Sequence, residues 1–478
     1  MSTKKFNAEM VLSRAIVRSK FYITKSKALY MINRRNRENG AVPMTPANMN
    51  KLFSSVYADS LSKQQLEMLG VKLLEKANKI TVPQEVYTRI AFHHDNIYFD
   101  LGKSGVVEIT KDGSKLIEIR KCPAVFYRPT TMGDLPEPNL SEELDISNIR
   151  SDLKKLLNLE KLDIKLALAW LLAPFCPTGT RPIFLLEGLQ GCAKTTTSKV
   201  LIRTVDGHEP PIISLPTSPK DLFISASNRI AVAYDNTSEM SNKISDHICQ
   251  ITSGAAHSSR SLYSNGDQFV ISAHIPILIN GITTGATRGD LLDRTLRIQA
   301  PPLAPEAYKS EAELEALFQE KHPYILGAII RIVQYGLSNP QPLPPELRLS
   351  RLVDFCQWCY SWAPAAGLTP EKLVRYIGEN QKKTKLESLG EDAVATIILS
   401  LLDDCDGEWE GTSTELFHEF MEKAASRGLS FSERVTSAQT LSSRLTRAAP
   451  ALKAAGIEFN RAHSNRGTVI SLKRRTDS

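Results

Sequence analysis

The sequence predicts an α/β protein built around a phosphate-loop core with a mostly parallel sheet, and three observations predict it. The first is Gly188-Leu189-Gln190-Gly191-Cys192-Ala193-Lys194-Thr195-Thr196, between the apolar run Ile183-Phe184-Leu185-Leu186 and a helical stretch from Thr195 to Ile202. The second is a further apolar run, Arg229 to Asn236, which brings Asp235 to a strand end 41 residues beyond Lys194. The third is the alternation of strand-like and helical segments from Arg181 to about Ala300, as in a parallel sheet flanked by helices.

Each part of the loop has a chemical reason. Small residues let backbone N–H groups turn inward on phosphates, Lys194 supplies charge for the β- and γ-phosphates, and the Thr195 hydroxyl suits Mg²⁺. The strict pattern has glycine where this chain has Ala193, which is still small. The bland alternative is a chance glycine loop. Asp235 weighs against it, because a carboxylate at the carboxyl end of a neighbouring strand can hold Mg²⁺ beside Thr195.

Composition bounds the rest. A chain of 478 residues, 42% hydrophobic and 23% charged, suits a protein of two or three domains. Its longest apolar segment, Leu166 to Phe175, is too short to span a bilayer, and no charged-then-apolar leader opens it. The expectation is a cytoplasmic protein without membrane contact. Seven thinly spread cysteines suit a reducing compartment, and the close pair Cys356 and Cys359 reads as helix packing rather than a zinc site. Charge is uneven. Residues 1–40 carry +8 and 426–478 carry +7, leaving −8 for 41–425. Basic ends suit a polyanion, although a solvated surface explains charge alone equally well.

Taken in order, residues 1–132 read as a mixed α+β region of unassigned role. It opens with a basic helix from Phe6 to Arg18, short strands around Phe21–Ile23 and Leu29–Ile32, and helices over Pro46–Leu61 and Lys63–Lys76. A β-rich block follows, with strands over Val86–Phe92, Ile97–Leu101 and Val106–Thr110. His93-His94-Asp95 reads as a hairpin turn, since neighbours on a strand point to opposite faces and cannot share a metal. The proline-rich connector Pro129 to Pro138 marks a domain boundary. Residues 140–304 then form the core, with helices about 143–158 and 161–173 ahead of the loop.

Beyond Asp235, the strand His274 to Asn280 ends in an amide able to orient water, or simply in a turn residue. Arg294 follows just before another strand. Placed there, it could reach a neighbouring subunit's γ-phosphate, or pair with Asp290 or Asp293 on its own surface. Asn265-Gly266 between apolar-alternating arms signals a hairpin, whose Arg260 and Tyr263 could meet phosphate and base of single-stranded DNA in a channel. Residues 305–404 read as a helical lid and connector over Glu311–Tyr335, Leu349–Trp362, Pro370–Asn380 and Glu391–Leu402. In 405–478 a capping box at Thr412–Glu415 opens a helix, and a second helix near Ser437–Ala448 carries Arg444 and Arg447. Two strands then flank a turn with Arg466. Helices followed by a basic two-stranded wing describe a winged helix-turn-helix domain for duplex DNA, with protein docking as the alternative.

With these motifs in order, the chain resembles the helicase half of phage and plasmid primase-helicases, in superfamily 3 of the AAA+ ATPases. The likeness rests on the loop Gly188 to Thr196, Tyr234-Asp235-Asn236, Ile251-Thr252-Ser253-Gly254 through Arg260-Ser261-Leu262-Tyr263, Ile279-Asn280-Gly281-Ile282 and Asp290 to Arg294. It implies an AAA+ core with a helical lid that binds ATP and Mg²⁺ at Lys194 and Thr195, with Asp235 on the metal. It also implies that Asn280 is the sensor, that Arg294 is the arginine finger of a hexameric ring, and that a primase or other replication protein is a partner. Two departures stand out. Ala193 replaces glycine, and Asn236 stands where many relatives carry the acid that activates water. An amide cannot take up that proton, and Glu239 is the candidate substitute. The implied activity is that of an ATP-dependent DNA helicase of mobile-element replication. The alternatives are a nucleotide-gated DNA-binding initiator with little hydrolysis and, less favoured, a small-molecule kinase.

Overall fold

The computed structural model describes residues 6–474 apart from 25–27, 58–60, 81–82, 238–239, 261–267, 282–288, 350, 392, 427–434 and 465–466. Glu239, Tyr263 and Arg466 lie outside the described residues, as do the side chains of Arg260 and Arg447. Five parallel strands form the central sheet: β1 (Ile183–Glu187), β2 (Ile212–Ser214), β3 (Val232–Asp235), β4 (Ile277–Gly281) and β5 (Thr295–Gln299). Their order is β2-β3-β4-β1-β5, which places the loop strand β1 between β4 and β5.

Every residue of β1 and β4 is buried, because helices cover both faces of the sheet. Alternate residues serve different cores, as the two-residue period of a strand requires. Phe184, Leu186, Leu278 and Ile298 pack with Leu168, Trp170 and Leu201 on one face. Ile183, Leu185, Val232, Tyr234 and Ile279 pack with Leu222, Phe223 and Ile248 on the other. The helix after the loop, α1 (Lys194–Val205), lies on the first face. Between β3 and β4 the arms Ala256–Arg260 and Gln268–Ser272 pair antiparallel in the register Arg260 to Gln268, as the Asn-Gly signal leads one to expect.

The N-terminal residues form two packing units. Val11, Leu12, Phe21, Phe53, Leu69 and Leu73 make a small core of their own. The β-rich block is a meander of Ile90–His93, Asn96–Asp100, Val106–Ile109 and Ser114–Ile117, and its first turn has positive φ at His94 (48°) and Asp95 (64°), as a two-residue hairpin turn requires. The expected strand Val86–Phe92 is broken. Arg89 adopts φ 59° and buries its guanidinium, donating to the Asp100 carbonyl at 2.9 Å and the Gly133 carbonyl at 2.6 Å. Val86–Tyr87 therefore pairs separately, parallel to Val125–Phe126. Across the proline connector the core is continuous: Ile97, Phe99 and Val107 share a cluster with Leu168 and Phe175, and the Phe99 and Phe175 rings meet edge-on at 5.2 Å.

Helix α2 (Glu311–Ser338) opens on a capping box in which Ser310 and Glu313 satisfy each other's backbone N–H. Helix α3 (Pro370–Glu391) runs well past Asn380, where sequence spacing ends it. Tertiary partners extend it: Asn380 bonds the backbone of Arg297, Gln381 donates to the Asp293 carbonyl, and Thr384 and Ser388 are buried. The helix expected over about 143–158 is shorter, Ile149–Leu156, because Asp145 caps a preceding turn through the Ser147 N–H. The C-terminal region has the element order helix 393–404, strand 408–412, helices 413–426 and 438–454, and strands 457–464 and 467–474. Strand 467–474 lies central in its three-stranded sheet, over a core of Ile398, Trp409, Phe420, Leu445 and Leu472.

Candidate functional site

The loop gets its shape from three positive φ angles: Gly188 (151°), Gly191 (83°) and Ala193 (57°). At Gly188 a Cβ would lie 2.8 Å from Cys192 Sγ and 2.9 Å from the Ala300 carbonyl, so only glycine fits. Ala193 holds the left-handed position just before α1 without a side-chain cap, so the first N–H groups of that 12-residue helix are left to a ligand. From behind, the Asn158 amide donates to the Cys192 carbonyl at 3.1 Å and to the Pro301 carbonyl at 2.8 Å. This clamp carries no motif, and only its place ahead of the loop strand hints at it.

Lys194 folds its ammonium onto the loop, at 2.8 Å from the Gly188 carbonyl and 2.7 Å from that of Leu189. Thr195 lies exposed, with its hydroxyl 3.1 Å from the Asp235 carboxylate. The sheet order brings these two together from residues 40 apart in the chain. Asn280 joins the same group. It is 1% exposed, its Oδ1 accepts the Asn236 N–H at 2.9 Å, and its Nδ2 donates to Ser198 Oγ at 2.7 Å. The amide therefore ties α1 to the segment after β3. Asn236 has φ 52° and an exposed side chain. Ser198 and Asn158 are the residues that sequence reasoning misses here.

Beside the loop, a cavity of about 550 Å³ is lined by Leu156, Asn158, Ala193, Thr196, Val200 and Leu303, among others. Where β1 enters the loop, buried Glu187 pairs with Arg297 on β5 at 2.6 Å, and Arg297 also reaches Glu387 on α3 at 3.3 Å. A chain of charge thus links the loop strand to α3.

Arg294 is not brought to this group. Its guanidinium is almost buried, 2.7 Å from Asp290 Oδ1 and 2.6 Å from the Asp290 carbonyl, with Nε 3.4 Å from Ser253 Oγ. Burial pushes the Asp290 carboxyl up, but the hydrogen bond and charge of Arg294 outweigh it and hold the group below the ordinary carboxylate range. Of the paired-cysteine readings, Cys356 and Cys359 are buried in a helix, and burial pushes both thiols up. Among the described residues no group of His, Cys, Asp and Glu could hold a metal by itself. No described helix is long and apolar enough to cross a membrane. Arg260 lies at the end of one ribbon arm, while Arg444 and Arg447 lie on the helix 438–454.

The loop, the parallel sheet and the polar residues at its carboxyl edge define a P-loop-type α/β core. Residues 151–377 match the family described as the actinomycete integrative conjugative element replication protein, and 394–478 match the C-terminal domain of that family. Over these spans the chain is similar to replication proteins of mobile elements. Solved structures that it resembles include "SCCmec type IV Cch - active helicase", at 13% identity and TM-score 0.46, covering 95% of this chain and 93% of that one. Another is the apo C-terminal region of NrS-1, at 10% identity and TM-score 0.42, covering 99% and 100%. No curated protein matches the chain.

Proposed function

We propose that this chain is an ATP-driven motor that moves along DNA during replication of a mobile element, working as a ring, with six subunits implied by the resemblance. The observation that carries the proposal is the convergence of Lys194, Thr195, Asp235 and Asn280 about the loop and the first turns of α1. The donor set fits the cofactor: Thr195 and Asp235 would hold Mg²⁺, which when bound neutralises charge on the β- and γ-phosphates. Lys194 would exchange the Gly188 and Leu189 carbonyls for phosphate oxygens. The first turn of α1 would add N–H donors, and the adjoining cavity has room for the base. Asn280 would keep the segment after Asp235 in register with α1. Arg294 would act as an arginine finger only after giving up Asp290 and Ser253, so a neighbouring subunit must replace those contacts. The ribbon 256–272 would meet single-stranded DNA through Arg260 and Tyr263. The C-terminal order of helix, strand, two helices and two strands supports reading this region as a winged helix, which would meet duplex through Arg444, Arg447 and Arg466.

A second reading draws on Asn236. Its exposed amide cannot accept a proton, so a nucleotide-gated DNA-binding initiator would need no more than the same pocket. Glu239 remains the candidate base for the motor. Steady-state hydrolysis of ATP, with and without single-stranded DNA, separates the two readings. DNA-stimulated turnover lost in Lys194→Ala supports the motor. ATP binding without turnover, with hydrolysis gained in Asn236→Glu, sinks the motor in favour of the initiator.

A further inference from the structure

The basic N-terminal residues do not lie scattered over the surface. Arg34 and Arg35, in the turn after strand 29–33, line a cleft of about 720 Å³ together with Lys103, Arg120 and Arg128 of the β-rich block. Two packing units of the N-terminal region thus place cations on one opening.

The cations differ in how far they are already committed. Arg128 is spent on buried Asp100, at 2.6 and 2.8 Å, and joins the units by donating to the Glu38 carbonyl. Arg120 pairs with Glu118, and Lys103 approaches Asp134 at 3.4 Å while its side chain is 90% exposed. Glu38 also lies on the rim. Among the described residues the Arg34 guanidinium donates only to the Ser19 carbonyl, at 3.2 Å, and neither Arg34 nor Arg35 has a carboxylate partner. The sequence around them is basic too, residues 1–40 carrying +8.

We propose that this cleft is a nucleic-acid-binding surface that takes the sugar-phosphate backbone of DNA, with Arg34 and Arg35 as its principal phosphate contacts. The adjacent exposed cations of Arg34 and Arg35, with Lys103 and Arg120 across the cleft, suit a row of phosphates. A discrete phosphate would need the enclosed convergent donors that the loop at Gly188 has and this cleft lacks. A flat anionic bilayer would not reach the floor of a cleft. The surface stands apart from the loop, the ribbon and the C-terminal region, and it gives the N-terminal residues a role that the proposed motor does not supply.

The test uses the full chain without nucleotide, so that failure of the motor reading does not affect it. Fluorescence anisotropy with single-stranded and duplex oligonucleotides is compared between the natural chain and Arg34→Gln/Arg35→Gln across a salt series. Losing two phosphate contacts lowers the slope of log K against log salt by about 1.4 for a single strand or about 1.8 for a duplex. An unchanged thermal midpoint confirms that the variant is folded. Because other DNA contacts can dominate total affinity, arginine-selective dicarbonyl labelling of the natural chain supplies a local readout. Protection of Arg34 and Arg35 by DNA, together with the reduced slope, supports the cleft. An unchanged slope with no protection overturns it. So does loss of binding to phosphatidylserine vesicles with DNA binding intact, which would assign the surface to a membrane.

Discussion

Truncating Asn280 tests whether the group around the loop is one connected structure. The Asn280→Ala change removes an amide that is 1% exposed and makes two bonds, 2.9 Å from the Asn236 N–H and 2.7 Å to Ser198 Oγ. The two partners are affected differently. Ser198 keeps its own bond to the Lys194 carbonyl at 2.9 Å, whereas the Asn236 N–H loses its acceptor. One lost net hydrogen bond and one orphaned donor together cost about 2–4 kcal/mol. Ser198→Ala leaves the Asn236 contact in place but strips the buried Asn280 Nδ2 of its acceptor, and should cost a similar amount, about 2–4 kcal/mol, without loosening the Asn236 amide. Denaturant unfolding measures the global effect, and amide exchange at Asn236 measures the local one. If the loss is local, exchange there rises roughly 30- to 1,000-fold, at 1.4 kcal/mol per decade. If the protein turns over ATP, kcat should fall more than KM rises, because the loop proposed to hold phosphate is untouched. An Asn236 amide that exchanges as in the natural chain, with stability within about 0.5 kcal/mol, would refute the reasoning.

Two further outcomes follow from the same geometry. Gly188→Ala forces a Cβ against the Ala300 carbonyl at 2.9 Å and Cys192 Sγ at 2.8 Å, in a backbone conformation of φ 151°. It should cost roughly 1–3 kcal/mol and weaken nucleotide binding, read by unfolding and by titration with a fluorescent ATP analogue. Burial lowers the His322 imidazole to about 4, with its Nε2 3.0 Å from the Thr204 carbonyl. It is neutral in both states above about 6.5, and as pH falls from 6.5 to 4 only the unfolded chain takes the proton. Stability should therefore drop by up to about 3 kcal/mol over that window. His322→Gln, which keeps a donor but does not titrate, should flatten the pH dependence of the thermal midpoint. Part of the slope should remain, because burial lowers His274 to about 4 as well.

Much of this protein was determined by sequence alone, where chemistry is local. A strand with every residue buried, a left-handed loop of small residues and a lysine opening a helix are all set by neighbours within ten or so positions, and Ile183 to Thr196 shows each of them. The hairpin at His93–Asn96 and the paired arms 256–260 and 268–272 were legible for the same reason. Element ends were less so. Helix α3 passes Asn380 because distant backbone groups at Arg297 and Asp293 satisfy its polar face, a cause that periodicity does not carry.

Tertiary structure alone decided which polar groups meet. The order β2-β3-β4-β1-β5 realises the meeting of Asp235 and Thr195 that the motifs led one to expect, and it also sets Asn280 against Ser198, 82 residues away in the chain, a pairing that no spacing rule contains. Of the two roles that the sequence left open for Arg294, it realised the pairing with Asp290. It also joined the β-rich block to the helical core across a proline connector, and gathered cations from two packing units into one cleft. The reason is physical: a motif records what a backbone segment can do, whereas the partners of a side chain depend on contacts that form only when the whole sheet and its helices close.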